Sequence, residues 1–572
     1  MLSKNAEVAQ VLEEIGLLLD IEGKDRFRPL AYHRGARAIK SLGEDVVEVA
    51  RRNELTKIPG IGKGLAKIIT NYIETGQVPK LDELRTRVPI KVMELMAIRG
   101  VGPRTVKLMY DKLGITDLES LERAASDGSL SQLPGLGDRS VKQILQGIEL
   151  VRQGLERTLL ADALIEAEKI VSALRALPSV RQIEVAGSAR RRRETVGDLD
   201  ILVNASDTET IMGTFVGLES VAEVLARGTT KSSVRLTSNL QIDLRVIPAE
   251  SFGAGLQYFT GSVDHNVKLR SIAQKMGLKL NEYGLFRGEE KVEGREERAI
   301  YESLGMTWVP PELREDRGEI EAAQDGTLPD LITPDAVRGD LHTHTDQSDG
   351  RNTIEEMIDA AQEREYEYFC ISDHTKSLTI ANGMDEERLE ARINEIDRLN
   401  ESGRWKMRIL KGAEVDILQD GELDISDDLL SRLDIVTASI HSRMNDSKRV
   451  MTERVCHALE NKFVHILGHP TGRLLLKRPP FEIDLSAVFE VARKNNVIME
   501  LNAHPQRLDL NAGNLRSAVR AGLRIAVNTD AHSVAELDNM TFGIYQARRG
   551  WLTKDDIINT HTLKKLLRLI KK

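Results

Sequence analysis

The chain has 572 residues, 41% of them hydrophobic, which predicts several packed domains rather than one. Two cysteines, Cys370 and Cys456, exclude a disulfide-built fold and point to a reducing, cytoplasmic setting; no apolar run approaches a membrane span, and the N-terminus reads as an amphipathic helix with acids, not a signal peptide. The net charge of −9 divides as +3 over residues 1–158, −8 over 159–335 and −4 over 336–572, so any affinity for DNA has to come from local patches and backbone amides.

Residues 1–150 read as short helices joined by glycine-centred turns. Three turns repeat one pattern, an apolar residue, one residue, Gly, an apolar residue, Gly and then a helix: IPGIGKGLAKII (58–69), IRGVGPRTVKLM (98–109) and LPGLGDRSVKQIL (133–145). Such a turn presents backbone amides at a helix N-terminus, which suits a phosphate oxygen, directly or through a bound cation. Contacts of that kind position DNA without reading its sequence. Gly60, Gly62, Gly100 and Gly102 are the candidates. A plain interhelical turn with no ligand has the same sequence, and for the third turn the two readings weigh about equally, because Asp138 is poorly placed for a phosphate.

Residues 159–178 predict a further helix, and from residue 179 strands and helices mix. In VAGSARRRRETVGDLDILV (185–203), Asp198 and Asp200 sit at i and i+2 of a strand and so point to one face. Two carboxylates on one face invite Mg²⁺. Asp243, in LQIDLRVIP, supplies a third if that strand pairs with the first. Two cations about 3.5–4 Å apart can activate a 3′-hydroxyl and stabilise a leaving pyrophosphate. Gly187 and Ser188 open a helix whose amides can cradle a triphosphate, with Arg191 as a charge partner. Taken alone, the two acids also fit a solvent-facing strand end, and nucleotidyltransferases that copy no template share the GS and DxD elements.

Residues 312–335 are acidic, with Gly and Pro, and read in part as a linker. From 336 onward strands and helices alternate, which predicts a parallel βα architecture. His342, His344, His374, His441, His469 and His532 each fall at or just past a strand end, joined by Asp349, Glu414 and Asp530. In a βα barrel those ends converge on one face. Mixed His and carboxylate ligands suit Mn²⁺, Zn²⁺ or Fe²⁺, and a polynuclear centre of this kind can bind a phosphate ester and activate water. Cys370 lies inside a strand and reads as core. The strand in VIMELNAHP offers no ligand, and Arg507, just beyond it, fits a phosphate contact or the surface equally well.

The elements GS…GDLD and Asp243, then YFTGSVDHNVKLR (258–270) and LNEYGLF (280–286), resemble a family X DNA polymerase over roughly residues 1–310. The resemblance implies a multidomain chain: helical domains with helix-hairpin-helix motifs at 1–83 (DNA-end binding) and 84–155 (fingers), and an α+β nucleotidyltransferase palm (156–248) with a thumb (249–316). It implies that Asp198, Asp200 and Asp243 hold two Mg²⁺ or Mn²⁺ ions, Asp243 nearest the primer 3′-hydroxyl. Ser188 and Arg191 would bind the triphosphate. Tyr258, Phe259 and Gly261 would line the sugar pocket, with Asn266 at the base edge and Arg270 on the template strand. Three positions depart from the family. Ile68 stands where members that excise a deoxyribose phosphate have a lysine, which weighs against that activity. Gln241 stands where some relatives have an arginine, and Arg192 where a glycine is usual.

After a linker (317–335), residues 336–572 resemble the polymerase and histidinol phosphatase (PHP) family, implying a distorted (βα)7 barrel. On that pattern His342, His344, Glu414 and Asp530 hold one metal; Glu414, His441 and His469 a second; and Asp349, His374 and His532 a third, of Mn²⁺ and/or Zn²⁺. Both halves together resemble the bacterial and archaeal family X polymerases with a C-terminal PHP domain. The implied activity is template-directed filling of gapped or nicked DNA from dNTPs, in base-excision or end-joining repair, by a monomer. The barrel would be a 3′→5′ exonuclease, with cleavage at abasic sites and removal of 3′-phosphates as further options. A small-molecule phosphatase barrel and an inactive DNA-end scaffold are the rival readings.

Overall fold

The computed structural model describes residues 4–23, 28–40, 46–58, 60–87, 95–96, 98 and 101–571. The chain separates into two units, Met1–Leu155 and Glu156–Lys572.

The first unit is helical. The apolar stripe of helix Lys4–Glu22 serves two clusters in turn. Val8 and Leu12 pack with Ile39, Ile61 and Ile69, and further along Ile15 and Leu18 pack with Leu84, Val106, Leu121 and Ile144. The three glycine turns share one backbone design. The residue between the glycines, Ile61, Val101 or Leu136, is buried, and its N–H donates to the carbonyl three residues back at 3.0 Å. The second glycine then opens the helix, its carbonyl accepting from Ala66, Val106 or Val141 at 2.9, 2.9 and 3.1 Å. Gly60 and Gly135 hold φ of +93° and +84°, a region that strains any residue with a Cβ. Gly100 lies outside the described residues.

The second unit begins with a five-stranded sheet. Its strands are β1 (Val180–Val185), β2 (Asp198–Ala205), β3 (Val221–Arg227), β4 (Lys231–Leu236) and β5 (Gln241–Val246), in the order β1-β2-β5-β4-β3. β2 and β5 run parallel and the other pairs antiparallel. Helices Leu160–Arg175 and Thr208–Val216 cover one face, Ala167, Ile170 and Phe215 meeting Ile201, Val203 and Ile242.

Helices Phe252–Thr260, Val263–Lys275 and Glu297–Ser303 follow, with a small antiparallel sheet of β6 (Lys279–Asn281), β7 (Gly284–Arg287) and β8 (Glu290–Glu293). The segment read as a linker is not a loose tether. It carries helix Glu319–Gln324, whose Ile320 and Ala323 join the core of this subdomain. The fully buried Glu319 bonds His265 at 2.6 Å and caps the N–H groups of Asp316 and Arg317. The acidic composition that suggested a linker instead supplies a buried hydrogen-bond acceptor.

The remaining chain is a seven-stranded parallel barrel: β9 (Gly339–Asp340), β10 (Tyr368–Ile371), β11 (Arg408–Asp416), β12 (Ile435–Ser439), β13 (Ile466–Leu467), β14 (Ile498–Asn502) and β15 (Ile525–Asn528), each paired with the next. The first and last strands meet beyond their ladders. Asp530 N–H donates to the His342 carbonyl at 3.0 Å and His344 N–H to that of Ala531 at 2.9 Å. At the other end of the seam Asn559 bridges the pair, donating to Gly339 O at 3.0 Å and accepting from Val527 N–H at 2.8 Å. Inside, Tyr368, Cys370, Leu410, Ile435 and Ile466 fill the barrel, with Leu566 and Ile570 of helix Leu563–Ile570 in the same cluster.

One stretch ties these parts together. Arg190 forks onto Glu297 at 2.7 and 2.9 Å, and Arg191 donates to Thr260 O at 2.8 Å and pairs with Glu315 at 3.1 Å. Arg192 stacks over the ring of Tyr545 at 4.2 Å. Glu194 accepts from Arg473 at 2.7 and 3.2 Å and from Gln546.

Glu297 also meets the fully buried Arg314 at 2.7 Å. Burial raises the Glu297 carboxyl, but Arg314 and Arg190 outweigh it and hold the group well below the usual carboxylate range. Its stabilisation is therefore present above the ordinary value of 4.5 and is lost only as pH falls through the depressed folded value. Glu297→Gln leaves Arg314 uncompensated and should cost on the order of 3–5 kcal/mol at neutral pH. Denaturant unfolding of the variant checks this; a loss below about 1 kcal/mol would mean that the guanidinium finds water or another acceptor.

Candidate metal centres

Two side-chain sets in the second unit have the chemistry of metal sites. The first lies on the five-stranded sheet. Asp198 and Asp200 alternate on β2, and Asp200 is the direct partner of Asp243 on the parallel strand β5, so period 2 brings all three carboxylates to one face. Asp198 is exposed and Asp243 buried. Burial, then Asp198 and Asp243, push the Asp200 carboxyl up to about 6. Burial also raises Asp243, but hydrogen bonds from Lys231, Ser233 and Gln241 prevail and hold it below the ordinary carboxylate value. Lys231 stands 2.8 Å from one Asp243 oxygen, and the Gln241 amide donates to the other at 3.1 Å. Mutually repelling carboxylates on one face, one already paired with an ammonium, fit a cation-binding role.

The turn beside them requires glycine twice over. Gly187 has φ +62°, and a Cβ there would meet Asp200 Oδ2 at 2.6 Å. Ser188 is half-buried in the one-turn helix Gly187–Arg190. Arg191 is committed to Thr260 and Glu315, so an incoming phosphate has to compete with Glu315 for it. Tyr258 and Phe259 meet edge to face at 5.1 Å, and Arg245 lies over Phe259 at 4.4 Å. Asn266, expected at a base edge, is engaged at both ends of its amide: it donates to Tyr258 O at 2.6 Å and accepts from Gln257 at 2.8 Å. Gly261 is needed there, since a Cβ would meet Asn266 Oδ1 at 2.5 Å. Arg270 is exposed on helix Val263–Lys275.

In the first unit, Gly62 and Gly102 precede helices with ordinary extended backbone, φ −83° and −93°, and a Cβ on either meets nothing within 4 Å. Neither conformation nor crowding inside the protein demands glycine, so the bare backbone suits close approach from outside. Ile68 lines a cavity of ≈ 350 Å³ with Tyr32, Gly62 and Lys80.

The second set closes one end of the barrel, and all nine expected ligands are in it. His342, His344, Glu414 and Asp530 form one group with ligand atoms within 4.8 Å of one another; His344, Asp349, His374 and His532 form another; His374, Glu414 and His441 form a third. His469 reaches Glu414 at 2.9 Å. Histidines 344 and 374 are thus each shared by two groups, which the metal-by-metal assignment from sequence did not include. Buried His374 Nδ1 and His342 Nε2 close on Glu414 Oε2 at 2.8 and 3.3 Å, without a well-aligned hydrogen bond at any of the three atoms among the described residues. Ring nitrogens and a carboxylate oxygen crowded together in poor hydrogen-bond geometry are what a bound cation would satisfy. His469 and Asp530 hold φ of +25° and +54°, backbone strain of order 1–3 kcal/mol that clusters where geometry is functional.

The sequence reading missed the groups that hold the rings. Glu500 bonds His342 Nδ1 at 2.7 Å, accepts the His469 N–H at 2.6 Å and takes the Asn528 amide at 2.9 Å. Asp416 bonds His441 Nδ1 at 3.1 Å, and Asn502 donates to Asp530 at 2.9 Å. An acid facing inward from an apolar strand, as in IMELN, was the available signal. Arg507 stands 3.6 Å from Asp530.

Similarity to known proteins follows the same division. Family models match for the helix-hairpin-helix domain (3–78), the SAM-like helix-hairpin-helix tandem (92–149), the DNA polymerase beta thumb (255–315) and the PHP domain (340–504). The chain is 37% identical to a DNA polymerase/3′-5′ exonuclease PolX of Bacillus subtilis, over 99% of both chains. It is 27% identical to a DNA polymerase lambda of Rattus norvegicus over 49% of each, and 31% identical to a probable phosphatase of Acetivibrio thermocellus over 34% of this chain and 78% of that one.

Two outcomes are expected at the barrel site. Glu500→Ala should weaken cation binding about 10–100-fold, read by competition with a chromophoric chelator, because two histidines lose their anchor; unchanged binding would mean that the ligands orient themselves. The second concerns protons. Burial lowers His441 and His532, but Glu414 and Asp416 raise the first to about 10, and Asp349 and Asp530 raise the second to about 9. Buried His342 is likewise raised well above its ordinary value by Glu500, Glu414 and Asp530, so all three rings are protonated at pH 7 without a cation. Loading should release about three protons and weaken as pH falls. Calorimetry in buffers of different ionisation enthalpy measures this release.

Proposed function

Because the chain belongs to the family X DNA polymerases that carry a C-terminal PHP domain, we propose that its two centres divide the work of that family: template-directed gap filling in the palm and 3′→5′ exonucleolysis in the barrel. The observation that carries this reading is that both side-chain sets are complete in a single chain.

In the palm, Asp198, Asp200 and Asp243 would hold two Mg²⁺ or Mn²⁺ ions, which supply charge stabilisation for the attacking 3′-hydroxyl and the departing pyrophosphate. Asp243 lies toward the primer. Lys231 and Gln241 keep it ionised and oriented as an acceptor for the hydroxyl proton. The backbone amides of Gly187 and Ser188 receive the triphosphate, helped by Arg191 once Glu315 yields. Tyr258, Phe259 and Gly261 form the sugar-side wall, held by Asn266 through the Tyr258 carbonyl. Gly60, Gly62, Gly100, Gly102 and Arg270 contact the DNA backbone, so affinity falls with salt.

In the barrel, Mn²⁺ or Zn²⁺ held by the nine ligands would activate water against a 3′-terminal phosphodiester. Glu500 and Asp416 fix the imidazoles for that purpose. Removal of 3′-phosphates is the second activity we expect, favoured by the likeness of this region to a probable phosphatase; cleavage at abasic sites would be hydrolysis of a phosphodiester, as in the exonuclease step. No helix among the described residues is long and apolar enough to cross a membrane. We place the protein in the cytoplasm as a monomer acting on gapped or nicked DNA.

The test is a one-nucleotide-gapped duplex with a labelled primer and Mn²⁺. Extension is expected with dNTPs and shortening without them. Asp243→Ala should abolish extension, by at least about a thousandfold, and leave shortening intact; His344→Ala should do the reverse. Either change eliminating both activities in a folded protein would defeat the two-centre reading.

A further inference from the structure

Where the palm, the segment after the thumb and the barrel meet, there is a polar cavity of ≈ 230 Å³ that neither centre uses. We infer that it is a binding site for a phosphoryl oxyanion. Four arginines line it: Arg193 from the palm, Arg317 from the connecting segment, and Arg473 and Arg549 from the barrel. The acids that face them are few. Glu194 bonds Arg473, and Glu315 is divided among Arg191, Arg193 and Arg549. Asp509, the other carboxyl near Arg473, is taken up by Thr471 at 2.8 and 2.9 Å.

Donors are left over in consequence. Arg193 touches Glu315 only at 3.4 Å, and the exposed Arg317 guanidinium has no ion pair among the described residues. Arg191, Arg193, Arg317, Arg473 and Arg549 stand against the two carboxylates of Glu194 and Glu315, so this junction carries more positive charge than those carboxylates neutralise. The Nε groups of Arg473 and Arg549 are buried without hydrogen-bond partners among the described residues. The cavity also receives the start of helix Ala512–Arg520. Asn511 caps the N–H of Asn514, while those of Ala512 and Gly513 have no partner among the described residues. Guanidinium groups and free first-turn amides converging on one space are complementary to phosphate oxygens. At ~30 Å³ per water, the cavity has the space of roughly eight waters, enough for a phosphate or pyrophosphate group. The oxyanion can belong to a free small anion or to a DNA backbone phosphate.

The experiment titrates inorganic pyrophosphate into the full-length protein in EDTA, so that neither metal centre recruits it, and follows binding by calorimetry. Arg193→Gln combined with Arg317→Gln should weaken binding at least about tenfold, the worth of one lost charge-assisted contact. The Arg193 side chain is 41% exposed and Arg317 is exposed, and the thermal midpoint checks that the variant folds. The paired Arg→Lys variant should recover part of the affinity. A single-stranded oligonucleotide that displaces pyrophosphate from the unaltered protein, but binds the Gln variant more weakly, marks a backbone phosphate as the occupant; no displacement marks a free anion. Pyrophosphate affinity within twofold in the folded Gln variant, or no pyrophosphate binding by the unaltered protein, overturns the inference.

Discussion

Four side chains and a glycine turn set the geometry of the second unit. The chain leaves the Gly187 turn, where a side chain would collide with Asp200, and then spends Arg190, Arg191, Arg192 and Glu194 on partners in the thumb and in the barrel. The fixed point is the shared carboxylate of Glu297, gripped by Arg190 and Arg314. Buried ion pairs add little net stability against apolar packing, but they tolerate few alternative arrangements. Here they register the Gly187 turn against the thumb, so the carboxylate face of β2 and β5 and the Tyr258–Gly261 segment are positioned by one network.

The barrel obeys a different logic. Its strand ends carry buried imidazoles and carboxylates that an apolar core could not accommodate unpaired. The protein meets that demand from two sides. Glu500, Asp416 and Asn502 bond the outer atoms of the cluster, and on the inner side ring nitrogens of His374 and His342 crowd onto the single oxygen Glu414 Oε2 at 2.8 and 3.3 Å. Strained backbone at His469 and Asp530 belongs to the same arrangement, since these residues depart from strand geometry at the points where their side chains turn inward.

Much of this could be read from the chain alone, for reasons of periodicity. Asp198, Asp200 and Asp243 were legible because a period of 2 and one parallel pairing suffice to bring them together. The clustering of the barrel's His, Asp and Glu side chains was legible because seven strand ends, each contributing polar residues, must converge. The glycine turns announced themselves through spacing, and the buried residue between the glycines explains why it is always apolar. What escaped depends on long-range contact. Glu500 and Asp416 act through partners on other strands. The stitches from Arg191 and Glu194 span 124 and 279 residues. Strand β3 is exposed along nearly its whole length and so carries no alternation, which also hid its neighbour β4 and with it Lys231. The acidic segment after the thumb looked like a tether because composition does not reveal that Glu319 has a buried histidine to bond.

The way the barrel closes has a further consequence. Its first and last strands do not share a ladder; they are joined at one end by the backbone of residues 342–344 and 530–531 and at the other by Asn559. The first of these clasps is made by the same residues that carry His342, His344 and Asp530 into the cluster. Cations held there would lie across the seam and act as rivets. Loss of metal would then be a mechanical event as well as a chemical one, loosening the wall where the sheet is thinnest, while the Asn559 hinge keeps the opposite rim shut.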